Sequence, residues 1–200
     1  NHDLLLGLRR DDNQASGAHS TGNVAWGYEV DKALRVTASW GTGFKTPTFN
    51  DLYWPEDSFF KGNPNLKPEE SKSAEIGLRG VLSGGAWHAS LYRTDIDQLI
   101  TYMFDTSINK GTMHNVNRAR INGFDAGVST DLAGWKLAAN LSLLDPKDRD
   151  SGKLLPRRAK QTIKFDADHP FGKTGVGLTL LAQSHRLDFD NTGNDGRVAG

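Results

Sequence analysis

Apolar residues recur at every second position through most of this chain, and that period limits what it can build. Leu34, Val36, Ala38 and Trp40 alternate with Arg35, Thr37 and Ser39. Trp135, Leu137, Ala139, Leu141 and Leu143 alternate with Lys136, Ala138, Asn140 and Ser142. The same pattern returns at Ile163–Ala167, Val176–Ala182 and Val24–Val30. A period of two sets residues i, i+2 and i+4 on one face of a strand, whereas a helix needs about 3.6. The sequence therefore predicts an all-β chain whose strands have one apolar and one mostly polar face. About nine strands are expected, near residues 3–9, 18–30, 34–43, 72–82, 86–104, 114–132, 135–145, 158–168 and 175–187. Several exceed the roughly 5–6 residues usual in soluble sheets. No convincing helix is expected, because the 22 glycines are scattered through the pattern and glycine destabilises a helix interior.

The connections fall into two kinds that alternate. Asp31–Ala33, Ser83–Gly85 and Ala133–Gly134 are tight, and His169–Thr174 is slightly longer. Between them lie Arg10–Gly17, Phe44–Ser71, Asp105–Met113, Pro146–Arg157 and the stretch from Asp188 onward. This is the order of an antiparallel up-and-down meander with one trimmed rim and one elaborated rim. Transmembrane β-barrels have that asymmetry, and a soluble sandwich has less reason for it. The apolar face would then meet lipid, and the polar face a lumen. A soluble secreted β-protein that binds glycan or protein would bury the same apolar face in a core. Single-chain bacterial barrels have an even number of strands, so about nine strands read as an arc of a larger barrel.

Composition removes other classes. The 24 basic and 24 acidic side chains cancel, so no basic field argues for nucleic acid. There is no cysteine, hence no disulfide framework and no thiolate metal site. No apolar run approaches the ~20 residues of a membrane helix. Gly172-Lys173-Thr174 has Ala167 where a phosphate-binding loop needs its first glycine, and it joins strand to strand. The six histidines are scattered. Asp145, Asp148 and Asp150, and the acidic group from Asp188 to Asp195, lack the terminal glutamate of a calcium loop. No nucleophilic constellation is present, so the chain is not expected to be an enzyme, and no cofactor or metal is expected. It opens on Asn1 without a leader and closes in a polar, glycine-rich stretch, which reads as a piece of a longer protein.

The long link Phe44–Ser71 carries Pro47, Pro55, Pro64 and Pro68. Each fixes its own φ and biases the residue before it, so the link is expected to be ordered but irregular. It also displays Tyr53, Trp54, Phe59 and Phe60. Exposed aromatics on a loop mark a binding surface, and these four are candidate ligand-binding residues.

GFKTPTFNDLYWP, then GNPNLKPEES and an alternating strand, resembles the barrel of TonB-dependent outer-membrane receptors. ASLYRTDIDQLI and NVNRARINGFDAGVS are similar to later strands of the same family. Within it, LLPRRAKQTIKF and LLAQSHRLDFDNTG look most like the vitamin B12 (cobalamin) receptors. The resemblance implies an arc of about nine strands from a roughly 22-stranded transmembrane barrel. It also implies the outer membrane of a Gram-negative bacterium and active uptake of cobalamin, or else of a ferric siderophore or other metal chelate. TonB would act through an N-terminal plug, outer-membrane lipid would surround the wall, and the complete barrel would be monomeric. The family's plug and terminal aromatic strand have no counterpart here, so residues 1–200 read as a partial barrel domain. The family's ligand-contacting arginine maps to Arg157, with Arg158 beside it. Its contacting aromatic in the next loop falls near Asn191, with Phe189 out of register.

Overall fold

The computed structural model describes residues 1–13, 17–189 and 195–198. In chain order the elements are β1 (His2–Asn13), β2 (Gly17–Glu29), β3 (Leu34–Lys45), α1 (Phe49–Tyr53), β4 (Phe60–Lys61), β5 (Glu69–Leu82) and β6 (Gly85–Asp105). There follow β7 (Lys110–Leu132), β8 (Trp135–Asp148), β9 (Gln161–Phe171), β10 (Thr174–Gln183), β11 (Arg186–Phe189) and β12 (Asp195–Val198). The main sheet runs β1-β2-β3-β5-β6-β7-β8-β9-β10, and every neighbouring pair is antiparallel. This is the expected nine-strand meander. β4 joins its side by pairing in parallel with β7, and β11 and β12 form a separate hairpin.

The register makes the apolar positions continuous. Val36 lies opposite Leu78, Ile76 opposite Leu91, Leu91 opposite Phe124, and Phe124 opposite Leu143. The row continues through Leu141 opposite Ile163 and Phe165 opposite Leu180. This face is bare: Ile76 is 55% exposed, Leu91 58% and Leu180 55%. A sandwich would bury it, yet the small apolar cluster of Leu99, Ala119 and Leu155 lies elsewhere, at the long-link end. The other face is polar. Glu75 lies opposite Tyr92, Ser90 near Asp125, and Ser142 donates to Asp125. The Tyr92 ring lies across Gly123, where any Cβ would strike it.

The short rim is made as expected. Ala133 and Gly134 both hold positive φ, 51° and 82°, as a two-residue turn of type I′ requires. The other rim differs from expectation in two ways. Strands reach further, because β6 has 21 residues and β7 has 23, against the roughly 9–11 that cross a bilayer. Their hairpin thus projects well beyond the apolar band, and the expected link 105–113 shrinks to a turn. The second difference is α1. Thr48 caps it: the Thr48 hydroxyl accepts from Asp51 N at 3.2 Å, and Thr48 N donates to the Asp51 carboxylate at 2.8 Å. That reciprocal pair fixes one helical turn in a stretch too short to show a helical period.

Candidate functional site

The long link between β3 and β5 folds back over the projecting β6–β7 hairpin. The turn after α1 is made by Asp57, whose carboxylate accepts from Phe59 N at 2.7 Å and Phe60 N at 2.8 Å. That turn delivers Phe60 and Lys61 to Gly111 and Thr112 of β7, and Gly111 N donates to Phe59 O at 2.8 Å. Glu56 then receives Lys110 at 2.8 Å and Lys61 at 3.1 Å. Asn63 closes the far side, donating from Nδ2 to Met113 O at 2.9 Å. Gly62 is required by close approach: a Cβ there would lie 2.6 Å from Trp54 N.

This strap places part of the aromatic set in one cluster. The Trp54 and Phe60 rings meet edge to face with centroids 6.4 Å apart. Phe60 stacks on Tyr102 of β6 at 6.2 Å, and the Arg157 guanidinium carbon stands 5.4 Å from the centre of the Tyr102 ring. Trp54, Phe60 and Arg157, three of the residues singled out in the sequence, are thus linked through Tyr102. Tyr53 turns instead to Phe49, 5.1 Å away. Phe59 is 81% exposed and belongs to no ring contact among the described residues. Asn191 lies outside the described residues.

Tyr102 was missed in the sequence because the alternation fails just before it. Gln98 adopts φ 58°, with its carbonyl held by Asn115 Nδ2 at 2.7 Å. Past this kink both Leu99 and Ile100 are buried, so a period of two no longer assigns faces.

The link between β8 and β9 supplies Arg157. It is anchored by Leu155, only 3% exposed, against Leu99 and Ala119, with Ile96, Val116 and Ile121 around them. Leu155 N donates to Pro146 O at 3.0 Å. Arg157 itself has φ 60°. Its backbone N donates to Leu187 O at 2.8 Å, and its Nε donates to the Asp188 carboxylate at 3.0 Å. Arg158 faces inward instead. Burial pushes its guanidinium below its ordinary pKa, and nearby Glu69 opposes that. Glu69 is itself held by Ile100 N at 3.0 Å and Lys45 at 3.2 Å. Asp148, considered as part of a calcium loop, closes a turn by accepting from Asp150 N at 2.8 Å and the Ser151 hydroxyl at 2.5 Å.

The cluster thus offers aromatic faces and one guanidinium paired with the Asp188 carboxylate. It can hold a large ligand with flat apolar surface and polar or anionic edges. A concavity of about 980 Å³ lined by Arg35, Arg79 and His88 lies at the short-turn end. It is the hollow of the polar face and stands apart from this cluster.

The strap is expected to be sensitive to acid. The Lys110 and Lys61 ammoniums hold the Glu56 carboxyl below its ordinary pKa, and the Phe59 and Phe60 amides do the same for Asp57. Groups with lowered values stabilise the fold above the ordinary carboxylate pKa of about 4, and that contribution is lost as pH falls through the lowered values. Trp54 emission, taken as the difference from a Trp54→Phe variant, should stay constant from neutral pH to about 5 and shift only in stronger acid. Glu56→Gln with Asp57→Asn should show the shifted spectrum already at neutral pH. A pH-independent difference spectrum would remove the carboxylates from the account.

The family described as TonB dependent receptor-like, beta-barrel, matches residues 1–200. The vitamin B12 transporter BtuB of Photobacterium profundum is 41% identical over 167 residues, covering 81% of this chain and 27% of that protein. Its namesake from Vibrio vulnificus is 34% identical over 181 residues, covering 90% of this chain and 29% of that protein. The chain therefore spans under a third of the length of these curated relatives. Among solved structures, a G324V mutant of the ferric enterobactin receptor PfeA of Pseudomonas aeruginosa superposes with TM-score 0.75 at 20% identity, over 100% of this chain and 32% of that one. The copper transporter OprC superposes with TM-score 0.77 at 20% identity, over 99% of this chain and 34% of that one. At that identity the likeness is one of fold.

Proposed function

The chain belongs to the TonB-dependent receptor β-barrel family, and from that premise we propose that it forms part of the wall and outer mouth of a receptor that takes up cobalamin. On this reading residues 1–200 are an arc of a larger barrel in the outer membrane of a Gram-negative bacterium. The bare apolar face meets lipid, and the polar face lines the lumen. TonB acts through a plug contributed by the rest of a monomeric receptor. The work is transport, with no bond made or broken by this arc.

The observation that carries the reading is the convergence of Trp54, Phe60, Tyr102 and Arg157 at the long-link rim. Cobalamin presents a broad corrin ring edged with amides, and a phosphate in its nucleotide tail. Aromatic rings receive the flat surface, and a guanidinium donates to amide oxygens or to the phosphate. Arg157 stands beside the Tyr102 ring, and the ligand would exchange its Asp188 contact for its own acceptor. The identities of 41% and 34% to proteins named as vitamin B12 transporters support the choice of ligand.

A second reading keeps the barrel and changes the cargo. A ferric siderophore or other metal chelate is anionic and often aromatic, so the same guanidinium and rings suit it. The ferric enterobactin and copper proteins among the structural neighbours share this fold. The soluble glycan-binding or protein-binding reading is set aside by the family membership.

Cyanocobalamin binding to outer membranes carrying the full-length receptor tests the proposal, with Arg157→Ala alongside. Wild type should bind tightly. The variant should lose about tenfold or more, as expected for a hydrogen bond from a charged group worth roughly 1.5–3 kcal/mol. Tight binding unaffected by the substitution would keep cobalamin and discard the role of Arg157. No binding by a folded, inserted receptor would move the cargo to a chelate, with ferric enterobactin as the next probe.

A further inference from the structure

The aromatic cluster draws its rings from two separate pieces of chain, and one side chain bonds to both. Asn115 of β7 lies opposite Ile100 of β6. Its Oδ1 accepts from Lys67 N at 2.9 Å, and its Nδ2 donates to Lys67 O at 2.9 Å. The side chain thus pairs with the backbone of the strap as a neighbouring strand would. The same Nδ2 donates to Gln98 O at 2.7 Å. These partners select the residue type. One group must accept once and donate twice, which a carboxamide does and an ionised carboxylate of the same shape does not.

Gln98 needs that bond. Its φ of 58° is a left-handed conformation, which a residue with a side chain disfavours. A strand residue held there redirects the chain that follows. β6 is fixed on both sides of the change, because Gln98 O rests on Asn115 and Ile100 N donates to the Glu69 carboxylate at 3.0 Å. Two residues past Ile100 stands Tyr102, stacked on Phe60 at 6.2 Å. Phe60 comes from the strap, and Lys67 lies on the strap's return leg toward β5. Asn63, the other side chain that ties this leg to β7, donates to Met113 O at 2.9 Å, away from the kink.

We propose that Asn115 is a positioning residue for ligand binding: its single amide sets the strap and the β6 kink together, and so fixes the Phe60 and Tyr102 rings relative to each other. The inference rests on the aromatic cluster being the ligand site. Asn115 acts through the two rings. A broad flat ligand gains from two aromatic faces only when both are held in advance, because ordering them at the moment of binding subtracts from affinity. Without the amide the two supports part. Gln98 is then free to return to negative φ, Tyr102 turns with the chain beyond it, and Lys67 no longer holds the strap against β7.

The test uses the full-length receptor in detergent micelles, with cyanocobalamin as the probe. Asn115→Ala should weaken binding about tenfold, the scale of one or two lost hydrogen bonds. It should also shift the Trp54 difference spectrum, while heat-modifiable mobility stays that of wild type. Glycine holds a positive φ without steric cost, so adding Gln98→Gly to Asn115→Ala should return the affinity to within about threefold of wild type. Asn63→Ala, which loosens the strap at its other tie to β7, should not be rescued by the same glycine. A general loss of stability would not respond so selectively. Should Asn115→Ala fail to fold, a folded double variant is the same rescue. Should neither fold, hydrogen exchange in wild type decides: the Lys67 amide, whose acceptor is the Asn115 side chain, should be as protected as the Ile100 amide.

Wild-type affinity and an unshifted Trp54 spectrum in Asn115→Ala would overturn the proposal. So would a glycine that rescues neither substitution or both alike, or a Lys67 amide that exchanges at the rate of an open loop. Failure of the wild type to bind cyanocobalamin would instead strike the cargo reading. The Trp54 spectra of the same variants would then decide this inference, because the rings should part and be restored in the same pattern whatever the ligand.

Discussion

Arginine in place of Leu91 is expected to cost about 1–2 kcal/mol of folding stability in a bilayer, between the roughly 2–4 kcal/mol of a guanidinium at the midplane of a barrel's lipid face and the about 0–1 kcal/mol near the interface, because Arg93 follows two residues later on the same face. Leu91 is 58% exposed, and its cross-strand neighbours are Ile76 and Phe124. Both cross-strand neighbours are apolar, so the charge would have to reach along the strand for the headgroup level or draw water inward. The neighbouring substitution Ser90→Arg puts the same side chain on the other face, near Asp125 and Glu75. It should change stability by no more than roughly 0.5 kcal/mol. Urea titration of the full-length receptor folded into vesicles, read by heat-modifiable mobility, gives both values. If the two arginines cost the same, the assignment of faces is wrong.

Leu155→Ala should have a large effect, and a local one. A leucine that is 3% exposed and wedged against Leu99 and Ala119 leaves a cavity worth about 2–5 kcal/mol. The strands beneath are held by their own ladder, so the whole-barrel transition should barely move. The cost falls on the link that carries Arg157, two residues on. Amides of Leu155 and Arg157, bonded to Pro146 O and Leu187 O, should exchange faster by an order of magnitude or more. Cyanocobalamin affinity should drop with them, because an arginine on a loosened link must be ordered at the moment of binding. Leu155→Met, close in volume, should cost under about 1.5 kcal/mol. Unchanged exchange and affinity in the alanine variant would mean that the link is held by something other than its buried leucine.

The wall was legible in the sequence and the mouth only partly so, for a physical reason. Over the wall each residue answers to one of two environments, so a simple alternation such as Leu34 to Trp40 states both strand and face. Beyond the apolar band that constraint lapses. β6 and β7 run on as a hairpin, the kink at Gln98 buries two successive residues, and the same letters no longer encode direction. Tyr102 was lost there. α1 is five residues long, too short for a period, although Thr48 and Asp51 had the spacing of a reciprocal cap. The aromatic residues of the long link were singled out by composition, which cannot say which rings converge. The turn at Asp57 brings Phe60 rather than Phe59 to β7, and the end of α1 parts Tyr53 from Trp54.

That strap also orders events in time. Wall strands pair with the strand next in sequence, so each step closes a small loop at little entropic cost. The link from β3 to β5 is different. Its ties to β7 join residues 50 and 54 positions apart, Asn63 to Met113 and Glu56 to Lys110. None of them can form until two further strands have been laid down and β7 is in register. The strap is therefore assembled on β5–β7 and never ahead of them. A chain that stalls before β7 presents no half-made strap, and a formed strap certifies the three strands below it.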